Sequence, residues 1–218
     1  QDRLELSINI GAIDVPLGCS GFTHALGLAK MVIASGQGQN VLLLFGDTPS
    51  FVSHPKDFAL RSLFSDAGAA VWVSSSEEKS IGSFVFGSDG SGAKNLFVDH
   101  SGARNPTDIK WLQDNSEANG MKYGQMKMDG LEIFTFSLQR VPDLVSDILK
   151  KNNIEMNDVD LFVFHQASNI ILKSVQRKLR IPDEKMAYYL ENFGNTVSMT
   201  IPIALCEAQK EGRIKSGS

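Results

Sequence analysis

The sequence predicts an α/β fold on two observations. Short apolar runs bounded by Gly, Pro or Asp alternate with stretches of helical periodicity, and the second half of the chain repeats helix and strand units. AIDVPLG and VLLLFGD read as strands on either side of a helix running from about Gly21 to Ser35. AAVWVSS and IGSFVFG are two more strand candidates, separated by the polar SEEKS turn and close enough to form an antiparallel pair. From Asp89 to Gly130 the composition shifts to Gly, Asn, Asp, Lys and Met, and DGSG, ARNPTD and DNSEANG are loop signals. Regularity resumes with a helix from Leu131 to Asn152, the apolar run VDLFVFH as a buried strand, and a helix from Ser168 to Leu179. AYYLE then reads as a short strand, followed by a helix from Thr196 to Gln209. Three segments result: residues 1–93 as one half carrying Cys19, 94–130 as an irregular loop insertion, and 131–218 as a second half.

The two halves match in one further respect. A strand leads to a Cys-Ser-Gly helix start in the first and to a Gly-Asn-Thr helix start in the second, so an internal duplication would bring those starts face to face. The chain stops at EGRIKSGS, after a helix and a turn, where an alternating fold calls for another strand; sequence is expected beyond both ends.

Composition narrows the function classes. With 218 residues and 42% hydrophobic content, the chain can bury an ordinary core. A formal charge of −4 with both signs interspersed provides no basic footprint for nucleic acid and no polybasic arm for a membrane surface. No apolar run reaches the roughly 18 residues that span a bilayer, and QDRLELSINIGAIDV has no basic region followed by an apolar one. The expectation is a cytoplasmic protein. Two cysteines, Cys19 and Cys206, are too few for a disulfide framework or a zinc ribbon, so no metal site is expected. Cys206, among Ile203, Ala204 and Leu205, reads as a small buried hydrophobe.

In DVPLGCSGFTHAL the cysteine follows a strand and opens a helix, flanked by Gly18 and Gly21, which permit a sharp turn and close substrate approach. At a helix N-terminus the unpaired amides and the dipole favour a thiolate and could hold an oxyanion. A buried structural cysteine would fit the same spacing. His165 ends the apolar run VDLFVFH and is carried to the edge of the sheet where ligands of open α/β folds sit; a hydrogen-bonded structural histidine is the alternative. Asn195, between Gly194 and a new helix, is explained locally by an N-cap alone.

Taken together, one Cys, one His and one Asn at element ends make a set suited to acyl transfer. DVPLGCSGFTHAL, VFHQAS and FGNTVS resemble, in order and separation, the Cys, His and Gly-Asn-Thr segments of β-ketoacyl-acyl carrier protein synthase III. SDAGAAVWVSSSEE and LCEAQKEGRIKSG resemble further segments of that family, so the likeness covers nearly the whole chain. It implies a thiolase-like duplicated fold with helices packed between and around mixed β-sheets. It also implies that Cys19 accepts an acyl group from a thioester, usually acyl-CoA. His165 and Asn195 then hold the thioester oxygen of malonyl-acyl carrier protein while decarboxylation leaves a carbanion that attacks the acyl-Cys. CoA and carrier thioesters are substrates, and no cofactor is implied. The partners implied are an acyl carrier protein and a second copy of the chain.

Departures from the family pattern concern the donor. Where the family carries an Arg for CoA, this sequence has Phe58, with Arg61 nearby; a pantetheine-contacting Asn is Ser168 and a carrier-docking Arg is Ile170. Lys173, Arg177 and Lys178 share one helix and form a basic face suited to an acidic carrier protein, or simply a solvated face. Two other readings stay open: a thiolase-fold acyltransferase or starter-unit synthase of secondary metabolism, and a non-catalytic partner subunit, against which the intact Cys, His and Asn set weighs.

Overall fold

In a computed structural model of the chain, the residues described are 1–78, 80–106, 110, 113 and 124–215. Strand β1 (Asn40–Asp47) pairs antiparallel with β2 (Ala67–Ser74) over eight residue pairs, from Asn40 opposite Ser74 to Asp47 opposite Ala67. Both strands alternate more and less exposed residues, the period-2 pattern of a ladder with one face covered. Helix α1 (Gly21–Ala34) packs on β1, with the rings of Phe22 and Phe45 5.8 Å apart. The six-residue helix α2 (Phe58–Leu63) is capped by Asp57, whose carboxylate accepts from the Leu60 amide at 3.0 Å.

Helix α3 (Gly130–Asn152) starts where the Asp129 carboxylate accepts from the Leu131 and Glu132 amides, and ends on Lys150 and Lys151, the charge order its dipole favours. Helix α4 (Asn169–Leu179) follows, then the short α5 (Leu190–Phe193) and α6 (Thr200–Lys210). The segments 161–164 and 186–189 run between two cores. Phe162, Phe164, Met186 and Tyr188 face α3 and α4, where they pack with Val145 and Leu172; Leu161, Val163, Ala187 and Tyr189 face Ala204 and Ala208 of α6. Burial on both faces explains why residues 161–164 are an unbroken apolar run rather than an alternating one.

Several expected strands are not formed. AIDVPLG is irregular: Pro16 offers no amide to a ladder, and Leu17 N–H turns back to Val15 O at 2.8 Å. β2 takes β1 as its partner, not IGSFVFG. That segment is instead a strap whose backbone bonds to side chains: Gly82 O accepts from Lys30, Phe84 O from Lys151, and Ser83 exchanges hydrogen bonds with Asn152. Four of its backbone polar groups are thus satisfied without a ladder. VDLFVFH forms only a parallel bridge, Phe162 N–H to Lys185 O at 2.7 Å and Ala187 N–H to Phe162 O at 3.0 Å, and AYYLE is extended up to α5 without a further pairing. The expected insertion 94–130 contains a short antiparallel pair, β3 (Leu96–Val98) with β4 (Met126–Met128). The DNSEANG signal lies outside the described residues. The last helix begins at Thr200, after a 3-10 turn over Val197–Met199. Cys206 is exposed, not core, because α6 turns Ala204 and Ala208 inward and position 206 outward.

Leu172 is among the most deeply buried large side chains, so Leu172→Ala is expected to cost about 3 kcal/mol in urea unfolding. Ile170, two residues away but exposed, should tolerate Ala within about 0.5 kcal/mol.

Candidate active site

Asn195 lies in the turn Gly194–Thr200, which His165 contacts through Thr200 and which Gly18 and Gly21, on either side of Cys19, approach at Val197 and Ser198. Gly194 (φ 68°) begins it, and a side chain there would collide with the Ser65 hydroxyl. Asn195 is clamped into a parallel bridge with Phe64: its N–H donates to Leu63 O at 2.8 Å and its carbonyl accepts from Ser65 N–H at 3.0 Å. The side-chain oxygen of Asn195 accepts from Val197 N–H at 3.0 Å, which leaves its NH2 as the outward donor; one of those hydrogens reaches Ala167 O at 3.3 Å. The contact with Val197 closes a turn two residues on; the 3-10 turn has Thr196 as its N-cap and α6 has Met199, neither with a side-chain cap bond, so the helix cap expected of Asn195 is not formed. Val197, β-branched, adopts φ 57°, a conformation costing on the order of 1–3 kcal/mol that persists only where surroundings impose it.

The loop carrying Cys19 also meets this turn. Gly18 stands where a Cβ would meet Val197 Cγ1 at 3.6 Å, and Gly21 where one would meet Ser198 Cβ at 3.2 Å. Asp47, at the end of β1, accepts from both the amide (3.1 Å) and the hydroxyl (2.5 Å) of Ser198, tying the Cys-bearing half to the turn. Helix α1 starts at Gly21 with Ser20 as its cap, so Cys19 precedes the first turn. Burial pushes its thiol up to about 11; its own backbone amide pulls the other way, and the Asp47 carboxylate adds to the rise. The resting form is the thiol, which corrects the expectation that the helix end would favour a thiolate.

His165 sits just past the 161–164 segment. Gln166, 2% exposed, anchors it: the Gln166 amide donates to Phe164 O at 2.8 Å and accepts from Tyr189 N–H at 3.0 Å. The His165 Nδ1 contacts Thr200 Oγ1 at 2.6 Å, and burial holds the imidazole down at about 4, so it is neutral at pH 7. The site at rest pairs a neutral imidazole and a carboxamide with a neutral thiol.

The remaining candidates are more scattered. Ser168 caps α4, its hydroxyl accepting from Ile171 N–H at 3.2 Å. Arg61 is exposed on α2, near the end of the helix whose last carbonyl holds Asn195. Lys173 and Arg177 are exposed on α4, whereas the Lys178 ammonium donates to Leu138 O of α3 at 2.7 Å and so also ties two helices together. Sequence reasoning missed Asp47, Gln166, Val197, Ser198 and Thr200. Gln166, Val197 and Ser198 stood inside quoted motifs, but only burial marks the first and last and only its positive φ marks Val197. An open cleft of about 530 Å³ lies between residues 13–18 and β1; Gly18, Asp47 and Ser198 line it, and Cys19 does not. Among the described residues no helix is long and apolar enough to cross a membrane.

Helices alternate with paired extended segments, and the loop before α1 and the His165 segment both reach the turn 194–200, the arrangement of a thiolase-like α/β protein. Residues 13–90 match the family model for 3-oxoacyl-(acyl-carrier-protein (ACP)) synthase III, and residues 149–218 match the model for the C-terminal part of the same enzyme. The chain is 35% identical over 218 residues to the β-ketoacyl-(acyl-carrier-protein) synthase III of Clostridium perfringens, covering 100% of this chain and 64% of that protein. A crystal structure of a 3-oxoacyl-(acyl-carrier-protein) synthase III superposes with TM-score 0.91 at 36% identity, over 99% of this chain and 65% of that one. The priming β-ketosynthase of the R1128 polyketide pathway superposes with TM-score 0.83 at 26% identity, over 95% of this chain and 59% of that one. The chain belongs to the 3-oxoacyl-(acyl-carrier-protein) synthase III family, and it spans less than two thirds of the length of these relatives.

The depressed His165 value sets a pH dependence. Its folded pKa lies below the ordinary 6.5, so the unfolded chain takes up the proton first as pH falls. The contribution is complete above about pH 6.5 and is lost between there and about pH 4, on the order of 3 kcal/mol in all. Urea midpoints at pH 7 and pH 4.5 should therefore separate more in the unsubstituted chain than in His165→Gln.

Proposed function

We propose that the protein is a 3-oxoacyl-(acyl-carrier-protein) synthase III, joining an acyl thioester to malonyl-acyl carrier protein by decarboxylative condensation at the start of fatty acid synthesis. The observation that carries this reading is the single turn, 195–200, against which the Cys19 loop, the His165 side chain and the Asn195 carboxamide are all packed. Cys19 is the acyl acceptor. Asn195, with its amide group oriented by Val197, donates toward the oxygen on which charge develops when carbon dioxide leaves, and His165 serves the same reacting centre. The exposed Lys173 and Arg177 support docking of an acidic carrier protein. The uncovered apolar residues Leu44 and Trp72 on the β1–β2 pair support association with a second copy. The composition and the lack of a membrane-crossing helix among the described residues support a cytoplasmic location.

A second reading keeps the acyl-Cys chemistry and changes the donor or acceptor, as in a starter-unit synthase of secondary metabolism. It is favoured by Phe58 and Ile170, 82% and 71% exposed, at the positions where the family resemblance calls for arginines. Incubation with acyl-CoA and with acyl carrier protein thioesters, read by intact-protein mass, separates the two. Acylation from CoA followed by transfer to malonyl-acyl carrier protein supports the first reading; acylation only from a carrier thioester, or transfer only to another acceptor, supports the second.

Variants of the full polypeptide carrying this sequence test the division of labour. Cys19→Ala is expected to abolish the acyl mass increase. Asn195→Ala should lower condensation roughly 10²–10³-fold, the usual cost of one such donor, while acylation persists. His165→Ala should show the larger acylation defect, because the thiol at rest carries its proton. Persistence of the acyl adduct in Cys19→Ala would remove the nucleophile assignment.

A further inference from the structure

The turn is held at two points three residues apart, and both anchors stand at one end of the β1–β2 pair. At the first, the Asn195 backbone is bonded to Leu63 O and to Ser65 N–H. Two residues beyond Ser65 the chain enters β2 at Ala67, whose partner across the ladder is Asp47. Asp47 is the second anchor: one carboxylate oxygen, Oδ2, takes both the Ser198 N–H at 3.1 Å and the Ser198 hydroxyl at 2.5 Å. A backbone N–H can only donate, so Oδ2 accepts whatever the hydroxyl does. The hydroxyl also lies 3.2 Å from Met199 Sδ, a weaker acceptor. Between the anchors is Val197 at φ 57°, a conformation that an unrestrained β-branched residue avoids. Its N–H holds Asn195 Oδ1 at 3.0 Å and so fixes which way the carboxamide donates. The orientation of that amide therefore depends on Val197 staying strained, and Val197 stays strained only while both ends of the turn are pinned.

We infer that Asp47 is a positioning residue for the condensation step: by holding Ser198 it keeps Val197 in the left-handed region, and through Val197 it aims the Asn195 carboxamide. The step named rests on the acyl-transfer reading above. Asp47 acts by hydrogen bonding rather than by charge. Both bonds go to a single oxygen, and no other side-chain hydrogen bond to this carboxylate is found among the described residues. An asparagine with its carbonyl oxygen in the place of Oδ2 can accept both bonds, whereas alanine can accept neither. Removing this anchor leaves the bridge between Asn195 and residues 63–65 in place, so the fold survives and the aim of the carboxamide is what is lost.

Two measurements on the full polypeptide test this. In ¹H–¹⁵N spectra of the asparagine-labelled protein, the Asn195 side-chain NH2 pair is identified by its loss in Asn195→Ala. Asp47→Ala should shift that pair and speed its exchange with water, and Asp47→Asn should leave it in place beside one new pair. In the mass and turnover assay, Asp47→Ala should still form the acyl adduct while condensation at saturating malonyl-acyl carrier protein falls roughly ten- to hundredfold, the range of a misplacement of about 1 Å. Asp47→Asn should retain condensation within about threefold of the unsubstituted protein, the rescue expected when one acceptor oxygen suffices. Combining Asp47→Ala with Asn195→Ala should cost little beyond Asn195→Ala alone, because a residue that acts by aiming the carboxamide then has nothing to aim. Fully additive losses in the double variant overturn the inference, as does an unmoved Asn195 pair in Asp47→Ala or an asparagine variant that behaves like the alanine one. Should Asp47→Ala not fold, Ser198→Ala takes its place with the same changes expected in smaller measure, and an unmoved pair there overturns the inference. If Cys19 fails to acylate in the unsubstituted protein, the acyl-transfer reading falls, while the Asn195 spectra still decide whether Asp47 sets the carboxamide.

Discussion

The bridge between Asn195 and the Leu63–Ser65 backbone is the contact on which the rest of the site depends, because it fixes where the turn 194–200 sits relative to the first half of the chain. Gly194 admits the close approach to Ser65, and Asp47 holds the far side of the turn through Ser198. Each such hydrogen bond is worth only about 1 kcal/mol net, but leaving one buried partner unpaired costs about 1–3 kcal/mol. The clamp therefore behaves as a unit. It is also what maintains Val197 in a conformation that a free β-branched residue avoids.

Burial sets the electrostatics of the same region. Both the Cys19 thiol and the His165 imidazole are displaced toward their neutral forms by loss of solvent, so the resting site holds no thiolate–imidazolium pair. Charge appears there only when a substrate brings it, and fixed donors in a poorly solvated site act on such charge more strongly than they would in water. The Asp47 carboxylate adds to this by opposing a thiolate at Cys19, while its own structural task is to bind Ser198.

Away from the turn, the second half is organised by two cores on opposite faces of one extended ribbon. That arrangement delivers His165 to the turn: alternate residues of 161–164 are pinned to α3 and α4 on one side and to α6 on the other, and Gln166 is bonded to both extended segments. The outer surface of α4 is left to Lys173, Arg177 and Ile170, a mixture of basic and apolar character that bears on partner choice without touching the core.

The amino-acid order alone determined the α/β class, the helices near 21–34, 130–152 and 169–179, and the identity of Cys19, His165 and Asn195 as candidates. Helical periodicity, capping residues and motif order are local properties, legible wherever they occur. Strands were read less well, since an apolar run becomes a strand only when another backbone supplies its ladder. IGSFVFG found side chains instead, and VDLFVFH found one bridge. Tertiary structure alone decided which way Cys206 faces, that Cys19 rests as a thiol, and that Asp47, Gln166, Val197, Ser198 and Thr200 support the site. Those outcomes depend on desolvation and on hydrogen bonds between residues as far apart as 47 and 198. Neither leaves a periodicity or a spacing in the chain, so folding had to bring the partners together before their roles existed.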